Sequence, residues 1–322
     1  DAAGYDHGTG WSSLADRYGF ALLFPEQQDA NNPKRCFNWF QLGDIQRGQG
    51  EAASIRQMIE HLIQDRSVDR DRVFITGLSA GGAMTAAMLA THPEAFSAGA
   101  IIAGLPYRCA TNVSEALECM FQGRTRSAEE WGDLVRDASR HKGPWPRVSV
   151  WQGGADATVH PTNAGELVKQ WTNVHGLPPS PSREEVVDAY PPRVWTNAIG
   201  EDIIDEYILA GMAHGTPLAT GDVENAYGAA GPFLLETGIS SSYHIAKFWG
   251  LTETPPGARR GKKPAEPAKA DAGPAAGGAQ ANDRKGKQAA GAHNTRKDLR
   301  PAGLIDVGSA IARALKAAGL MK

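Results

Sequence analysis

The sequence has no apolar stretch long enough to span a membrane, and it has only three cysteines in 322 residues. No two cysteines are spaced as C-x-x-C, which argues against a structural zinc site. Internal repeats are also missing. The chain starts at Asp1 with no basic-then-apolar leader, so either a leader has been removed or the start is absent. We therefore expect a globular protein without a metal centre or a membrane span.

Charge is distributed unevenly along the chain. Residues 253–322 contain 14 Lys and Arg against 6 Asp and Glu, a net charge of +8, whereas the whole chain carries −3. Residues 1–252 therefore carry a net charge of about −11. Such a negative domain does not suit binding to the negatively charged backbone of a nucleic acid. For the basic segment two interpretations stay open: a solvated linker, or a segment that binds an anionic surface such as a polymer granule or the cell envelope.

Residues 1–252 alternate between strand-like and helix-like stretches, which predicts one α/β domain. Strands are predicted at 20–24, 72–78, 98–103, 147–152 and 203–209, and helices at 51–66, 81–92 and 240–249. Residues 253–303 are rich in Pro, Ala, Gly and Lys, and such a composition predicts a disordered linker because it cannot offset its ordering entropy. Residues 304–322 recover a helical pattern and predict a short C-terminal helix.

The run G-L-S-A-G at 77–81 has the G-x-S-x-G pattern of a nucleophile elbow, a sharp turn from a strand into a helix. V-F-I-T at 73–76 precedes it and an Ala- and Met-rich helical run follows it, as the motif requires. Small residues around the serine let the two elements approach closely, and the helix N-terminus favours developing negative charge. The pattern predicts Ser79 as a catalytic nucleophile.

A serine nucleophile needs a general base and a carboxylate that orients it, and in this arrangement the chain order is Ser, then Asp or Glu, then His. Asp156 follows the predicted strand at 147–152, and His214 follows the one at 203–209. Both lie at carboxyl ends of strands, where catalytic groups of parallel sheets gather. Five rival histidines have less suitable contexts, namely His61, His92, His160, His175 and His244. Two rival acids, Asp202 and Asp205, precede or lie within the strand that leads to His214, which is the wrong end.

Several further runs resemble the polyhydroxybutyrate-depolymerase-type esterases, to which feruloyl and acetylxylan esterases are related. The runs are D-A-A-G-Y at 1–5, C-F-N-W-F at 36–40, G-L-S-A-G-G-A-M at 77–84, A-I-I-A-G-L-P-Y at 100–107, E-W-G-D-L-V-R at 130–136, G-P-W-P-R-V-S-V-W at 143–151, G-A-D-A-T-V-H-P at 154–161 and G-M-A-H-G-T-P-L at 211–218. The resemblance covers about residues 1–250. It implies an α/β-hydrolase fold, a mostly parallel sheet flanked by helices, and the triad of Ser79, Asp156 and His214 without a metal or organic cofactor.

The resemblance also implies where an oxyanion hole lies. One donor is the backbone N–H of Ala80, and the other belongs to a His-Gly-Cys-Thr-Gln segment that precedes D-A-A-G-Y in the family. The present sequence begins after that point, so we expect an N-terminally truncated copy that lacks its first strands, including one between 20–24 and 72–78.

The three cysteines leave alternatives open from the sequence alone. Three reduced thiols are one interpretation, and a small loop closed by Cys109 and Cys119 in an exported protein is another. In the family that the sequence resembles, the His-Gly-Cys segment before D-A-A-G-Y contains a cysteine, and the resemblance implies that this cysteine is the partner of Cys36. It therefore implies a disulfide between Cys109 and Cys119 and a free Cys36.

Four aromatic side chains are candidates for an apolar acyl site, namely Trp39, Phe40, Trp151 and Trp195, although most aromatics in proteins belong to the core. We place substrate-binding roles on Trp39 and Phe40. The expected function is hydrolysis of short-chain hydroxyalkanoate esters or polyester by a secreted or periplasmic protein, with a cytoplasmic location still open. The alternatives are a feruloyl- or acetylxylan-type esterase and an inactive remnant that binds polymer or granules.

Overall fold

The computed structural model describes residues 1–184, 190–221 and 225–253. The predicted linker at 253–303, apart from Glu253, and the predicted helix at 304–322 lie outside these residues. The helices are α1 (Ala2–Thr9), α2 (Trp11–Tyr18), α3 (Leu42–Ile45), α4 (Gly50–Arg66), α5 (Ala80–Thr91), α6 (Val113–Gln122), α7 (Ala128–Arg136), α8 (Thr162–His175) and α9 (Ser241–Phe248). The strands are β1 (Phe74–Leu78), β2 (Ala98–Ile102), β3 (Arg147–Gly153), β4 (Arg183–Glu184), β5 (Arg193–Thr196), β6 (Asp202–Leu209), β7 (Thr216–Leu218) and β8 (Leu234–Glu236).

Six strands of the described chain form one sheet in the order β1-β2-β3-β6-β5-β4. The first four in that order are parallel neighbours, whereas β5 is antiparallel to β6 and β4 is antiparallel to β5. A separate parallel pair joins β7 and β8. Because β1, β2, β3 and β6 run the same way, the loops that follow them emerge at one edge of the sheet.

Both faces of the parallel strands are covered by helices. Since successive side chains of a strand point to opposite faces, neighbouring residues of one strand belong to different cores. In β2, Ile101 faces a core built with α4, α5 and α8, whereas Ala100 and Ile102 face a core built with α2 and α9. Trp151 of β3 and Tyr207 of β6 stack in the second core at 3.8 Å between ring centroids. None of the helices in the described ranges is both long and apolar enough to cross a bilayer.

The prediction of a strand at 20–24 is wrong. The segment is not part of a sheet, although Phe20, Leu22 and Phe24 are partly buried against the second core and alternate with exposed residues. A strand needs a ladder partner for its backbone groups, and β1 is the end strand of the sheet with only β2 beside it. The other strands and helices predicted within residues 1–252 are confirmed to within a few residues. A further strand between 20–24 and β1 stays a prediction.

Candidate active site

Ser79 lies in the turn between β1 and α5 and has φ 58° and ψ −118°, a conformation that side-chain-bearing residues rarely adopt. Its backbone N–H donates to Ile102 O of β2 at 2.9 Å, which ties the turn to the sheet. The residue is partly exposed, whereas nearly all of α5 behind it is buried. A strained, anchored and accessible serine is the arrangement that the nucleophile-elbow motif predicts.

The close approach of β1 and α5 depends on two glycines. A Cβ on Gly77 would lie 2.4 Å from the carbonyl carbon and oxygen of Gly81, and a Cβ on Gly82 would lie 2.9 Å from Ile102 O. A Cβ on Gly81 itself would meet nothing within 4 Å. The steric requirement therefore falls on the first motif glycine and on the extra Gly82, and not on the second motif glycine.

The backbone N–H of Ala80 is the first of α5. The first helical hydrogen bond at this end is donated by Ala83 N–H to Ser79 O at 2.9 Å, so the Ala80 N–H has no acceptor within the helix. Such a free donor directly after the nucleophile, at the positive end of a helix, suits the stabilisation of an oxyanion.

Asp156 and His214 lie together at this edge of the sheet. Both side chains are buried, and His214 Nδ1 is 2.7 Å from Asp156 Oδ2. The other carboxylate oxygen of Asp156, Oδ1, accepts the backbone N–H groups of Thr158 at 2.8 Å and Val159 at 2.9 Å. The carboxylate is therefore fixed by its own loop and presents one oxygen to the imidazole, which orients the ring of His214.

The loops that carry Asp156 and His214 are packed backbone against backbone. Gly154 N–H donates to Leu209 O at 2.8 Å, and Ala155 N–H donates to Met212 O at 3.0 Å. A Cβ on Gly153 would lie 2.4 Å from Met212 O. Glycine at this position therefore lets the loop after β3 meet the loop after β6, and this contact brings the acid to the base.

The structure brings Asp156 and His214 into contact and places Ser79 at the same edge of the sheet. In the described part of the chain, no hydrogen bond joins Ser79 Oγ to His214. Hydrogen bonds of this kind are often long in unliganded enzymes and shorten when the substrate binds. The three residues have the chain order and the sheet positions that a Ser-Asp-His triad requires.

Two residues that the sequence analysis did not select also belong to the site. Gln152 Nε2 donates to Asp156 Oδ2 at 3.0 Å and to Val159 O at 3.0 Å, so it supports both the carboxylate and its loop. Its signal in the sequence is a large polar residue directly after the mainly apolar run V-S-V-W at 148–151. Phe233 places its ring edge-to-face with His214 at 6.0 Å, and no local pattern in the sequence marks it.

Three of the rival histidines, His160, His92 and His175, lie in environments that do not suit a catalytic base. His160 is exposed, and its Nδ1 lies 2.9 Å from the hydroxyl of Thr162. Burial lowers the pKa of His92 and of His175 to about 4, and His175 Nε2 lies 3.0 Å from Pro146 O. A base of such low pKa takes up a proton poorly near neutral pH, which favours His214 over these two.

The two rival acids lie away from His214. Asp202 forms a two-pronged ion pair with Arg183 at 2.7 and 2.8 Å. Asp205 is buried inside β6 opposite Ser149, and this burial raises its pKa from 3.8 to about 7. Among residues 1–184, 190–221 and 225–253, no group of three or more His, Cys, Asp or Glu side chains is placed to hold a metal ion.

The four aromatic candidates separate into two groups. Trp39 and Phe40 are buried in a cluster with Ala83 of α5, and Ala80 packs against the same cluster. Trp151 stacks in the core on the α9 side, and Trp195 is buried in the core on the α8 side. The first pair shares its cluster with the first turn of the nucleophile's helix, and a substrate-binding role for it stays a prediction.

The three cysteines are free thiols in the structure. The disulfide that was predicted between Cys109 and Cys119 is not formed. Both residues lie in the cluster of Trp39, where Cys119 Sγ donates to Cys109 O at 3.0 Å, and burial raises the pKa of the Cys109 thiol. Cys36 is partly buried, and burial raises the pKa of its thiol too. The pairing in an oxidised protein stays a prediction.

The chain is similar to known proteins both in sequence and in fold. Residues 1–182 match the sequence model of the family described as esterase PHB depolymerase. The chain is 44% identical over 251 residues to poly(3-hydroxyalkanoate) depolymerase C of Paucimonas lemoignei, covering 78% of this chain and 60% of that protein. It is 32% identical over 214 residues to an acetylxylan esterase of Coprinopsis cinerea, covering 65% and 56%. The chain thus spans a little over half the length of these two relatives.

The fold is similar to that of an acetyl xylan esterase from Aspergillus awamori. The two superpose with a TM-score of 0.61 at 21% identity, covering 78% of this chain and 84% of the other. At that identity the likeness concerns the fold alone. Together with the family match, the parallel strands flanked by helices show the α/β-hydrolase fold that the sequence analysis expected.

Proposed function

Because the chain belongs to the esterase PHB depolymerase family, we propose that it hydrolyses carboxylic esters of short-chain hydroxyalkanoates, in soluble or polymeric form. The observation that carries the proposal is the hydrogen bond between Asp156 and His214, formed at the edge of the sheet where the strained Ser79 turn lies. A buried acid and base beside an accessible serine are the groups that acyl transfer to serine requires.

In the proposed reaction, Ser79 Oγ attacks the ester carbonyl carbon while His214 Nε2 accepts the hydroxyl proton. The Ala80 N–H donates to the carbonyl oxygen as it gains negative charge. His214 then gives its proton to the departing alcohol, which leaves an acyl-enzyme on Ser79. A water molecule attacks the acyl carbon while His214 takes its proton. His214 then gives this proton to Ser79 Oγ as the bond between Oγ and the acyl carbon breaks, which releases the free acid and regenerates the serine.

Asp156 keeps its contact with His214 Nδ1 through this cycle and stabilises the imidazolium of His214 while that group is positive. Four donors surround its carboxylate, two from the backbone and one each from His214 and Gln152. Donors of this kind stabilise the charged form of a carboxylate.

The first experiment compares hydrolysis of p-nitrophenyl butyrate by the wild type and by Ser79→Ala. We expect turnover by the wild type and a decrease of about 10⁴-fold or more in the variant. Equal rates for the two proteins would rule out Ser79 as the nucleophile. No turnover by the wild type, combined with retention on polyhydroxybutyrate granules, would instead favour a binding protein.

A second experiment separates the possible substrate classes, because acetylxylan and feruloyl esterases are among the relatives. Polyhydroxybutyrate film, acetylated xylan and methyl ferulate are supplied in parallel, and release of each acid is measured. We expect release from the film. A preference for xylan or ferulate would contradict the hydroxyalkanoate assignment and leave the serine chemistry intact.

Export from the cytoplasm is also part of the proposal, and fractionation of the native host tests it.

A further inference from the structure

Glu51 is a buried carboxylate that the proposed reaction does not use. It lies in the first turn of α4 and is 6% exposed. Its Oε2 accepts the backbone N–H of Asn38 at 2.8 Å, and its Oε1 accepts Asn38 Nδ2 at 2.8 Å. Oε1 also accepts side-chain amide donors from Asn31, at 3.1 Å, and from Gln27. In the described part of the chain this carboxylate forms no ion pair.

A buried carboxylate without a cation is costly, because desolvation penalises the charged form. Burial raises the pKa of Glu51, and the hydrogen bonds from Asn38 and Gln27 oppose that rise. The four donors come from residues 27–38, a segment that contains no helix or strand. Such a segment has no regular backbone ladder, so its shape depends on side-chain acceptors of this kind.

The end of this segment leads directly to the aromatic pair beside the nucleophile. Trp39 follows Asn38, and its ring meets that of Phe40 edge-to-face at 5.4 Å between centroids. Both rings belong to the cluster that contains Ala83 and packs against Ala80, the residue after the nucleophile. The hydrogen bonds on Asn38 therefore act on the backbone immediately before this aromatic pair.

We propose that Glu51 is a positioning residue that holds Asn38 and thereby fixes Trp39 and Phe40 as the wall of the acyl site, setting acyl-chain selectivity. The inference rests on the proposed esterase function. Glu51 itself touches neither the substrate nor the reacting atoms. It acts through its two carboxylate oxygens, which accept hydrogen bonds from donors of residues 27–38.

The test variant is Glu51→Gln, which keeps the volume but replaces one acceptor oxygen with an amide donor that faces other donors. Glu60→Gln is the matched control, since Glu60 lies on the same helix and accepts bonds from Arg70 and Gln64 at the surface. The double variant Glu51→Gln/Asn38→Asp exchanges acceptor and donor between the two side chains. It should restore the bond between these two side chains without a change in net charge, whereas the donors of Gln27 and Asn31 still face the new amide.

The first measurement is kcat and KM for p-nitrophenyl esters from acetate to octanoate. We expect Glu51→Gln to change the ratio of kcat/KM values between short and long acyl chains by about tenfold or more, the lower end of the scale at which pockets discriminate methylene groups. The control should keep the wild-type ratio, and the double variant should recover it in part. An unchanged ratio in Glu51→Gln would overturn the selectivity role.

The second measurement is hydrogen–deuterium exchange over residues 27–40, which does not depend on turnover. We expect faster exchange in Glu51→Gln than in the wild type and the control, with slower exchange again in the double variant. Unchanged exchange would overturn the positioning role even if no ester were hydrolysed. Failure of the wild type to hydrolyse any ester, with the expected exchange pattern, would refute the esterase function and the selectivity role but not the contact of Glu51 with Asn38.

Discussion

Replacement of Asp156 by Asn tests the candidate site most directly, because every neighbour of its carboxylate is a donor. Oδ1 accepts two backbone N–H groups at 2.8 and 2.9 Å, and Oδ2 accepts from His214 at 2.7 Å and Gln152 at 3.0 Å. An asparagine has one oxygen and one NH₂ at these two positions. The orientation that keeps both backbone hydrogen bonds, each worth about 1 kcal/mol, turns the NH₂ toward His214.

In that orientation the imidazole of His214 must carry its proton on the other ring nitrogen. The Nδ1 atom must then accept from the amide, so the proton moves to Nε2, the atom that should take the proton of Ser79. A histidine in this tautomer cannot act as the base, and the comparable substitution in serine proteases lowers kcat by about 10⁴-fold. That factor corresponds to about 5.5 kcal/mol in the activation free energy. We expect a similar decrease here with little change in KM.

The assay is hydrolysis of p-nitrophenyl butyrate across the pH range, with Asp16→Asn as a matched control because Asp16 is exposed. The loss should persist at every pH, since it comes from a tautomer and not from a shifted titration. Nitrogen-15 NMR of His214 gives a second result that needs no turnover: the proton should lie on Nδ1 in the wild type and on Nε2 in the variant. Retention of more than about a tenth of wild-type kcat would refute the assignment of Asp156 as the orienting acid.

Three further predictions concern loop packing, pH and the thiols. Gly153→Ala should lower both the melting temperature and kcat, because its Cβ would overlap carbonyl oxygens of the His214 loop, whereas Gly211→Ala should do neither, since nothing lies within 4 Å of its Cβ. Asp205 has its pKa raised to about 7 by burial, so the folded protein holds a proton that the unfolded chain releases. The stability that protonated Asp205 contributes is therefore present below about pH 4 and is lost as the pH rises to 7, on the order of 4 kcal/mol at most. In thermal unfolding at pH 8, Asp205→Asn should be more stable than the wild type. Equal stability of the two proteins would contradict this. After oxidation, peptide mapping without reductant should find Cys109 joined to Cys119, and recovery of both as free thiols would refute the pairing.

The elements of the sheet were predictable because their signal is local. Apolar runs of strand length and the helical spacing of Ile55, Ile59 and Ile63 depend only on which faces are buried, and the buried side chains of α4 match that spacing. The segment at 20–24 has the same local signal and is not a strand, because pairing requires a neighbour that the segment does not have. Local patterns report burial well but do not report backbone pairing.

For the candidate site, the sequence by itself determined the residue types, their chain order and their places after strands: Ser79, then Asp156, then His214. Only the tertiary structure decided that Asp156 meets His214 rather than a rival, because that contact depends on β3 and β6 being neighbours and on Gly153 allowing their loops to touch. It likewise placed Gln152 on the carboxylate of Asp156, and Glu51 on the backbone N–H of Asn38. The physical reason is that hydrogen bonds act over about 3 Å in space, whatever the separation along the chain, so their partners follow from packing and not from spacing.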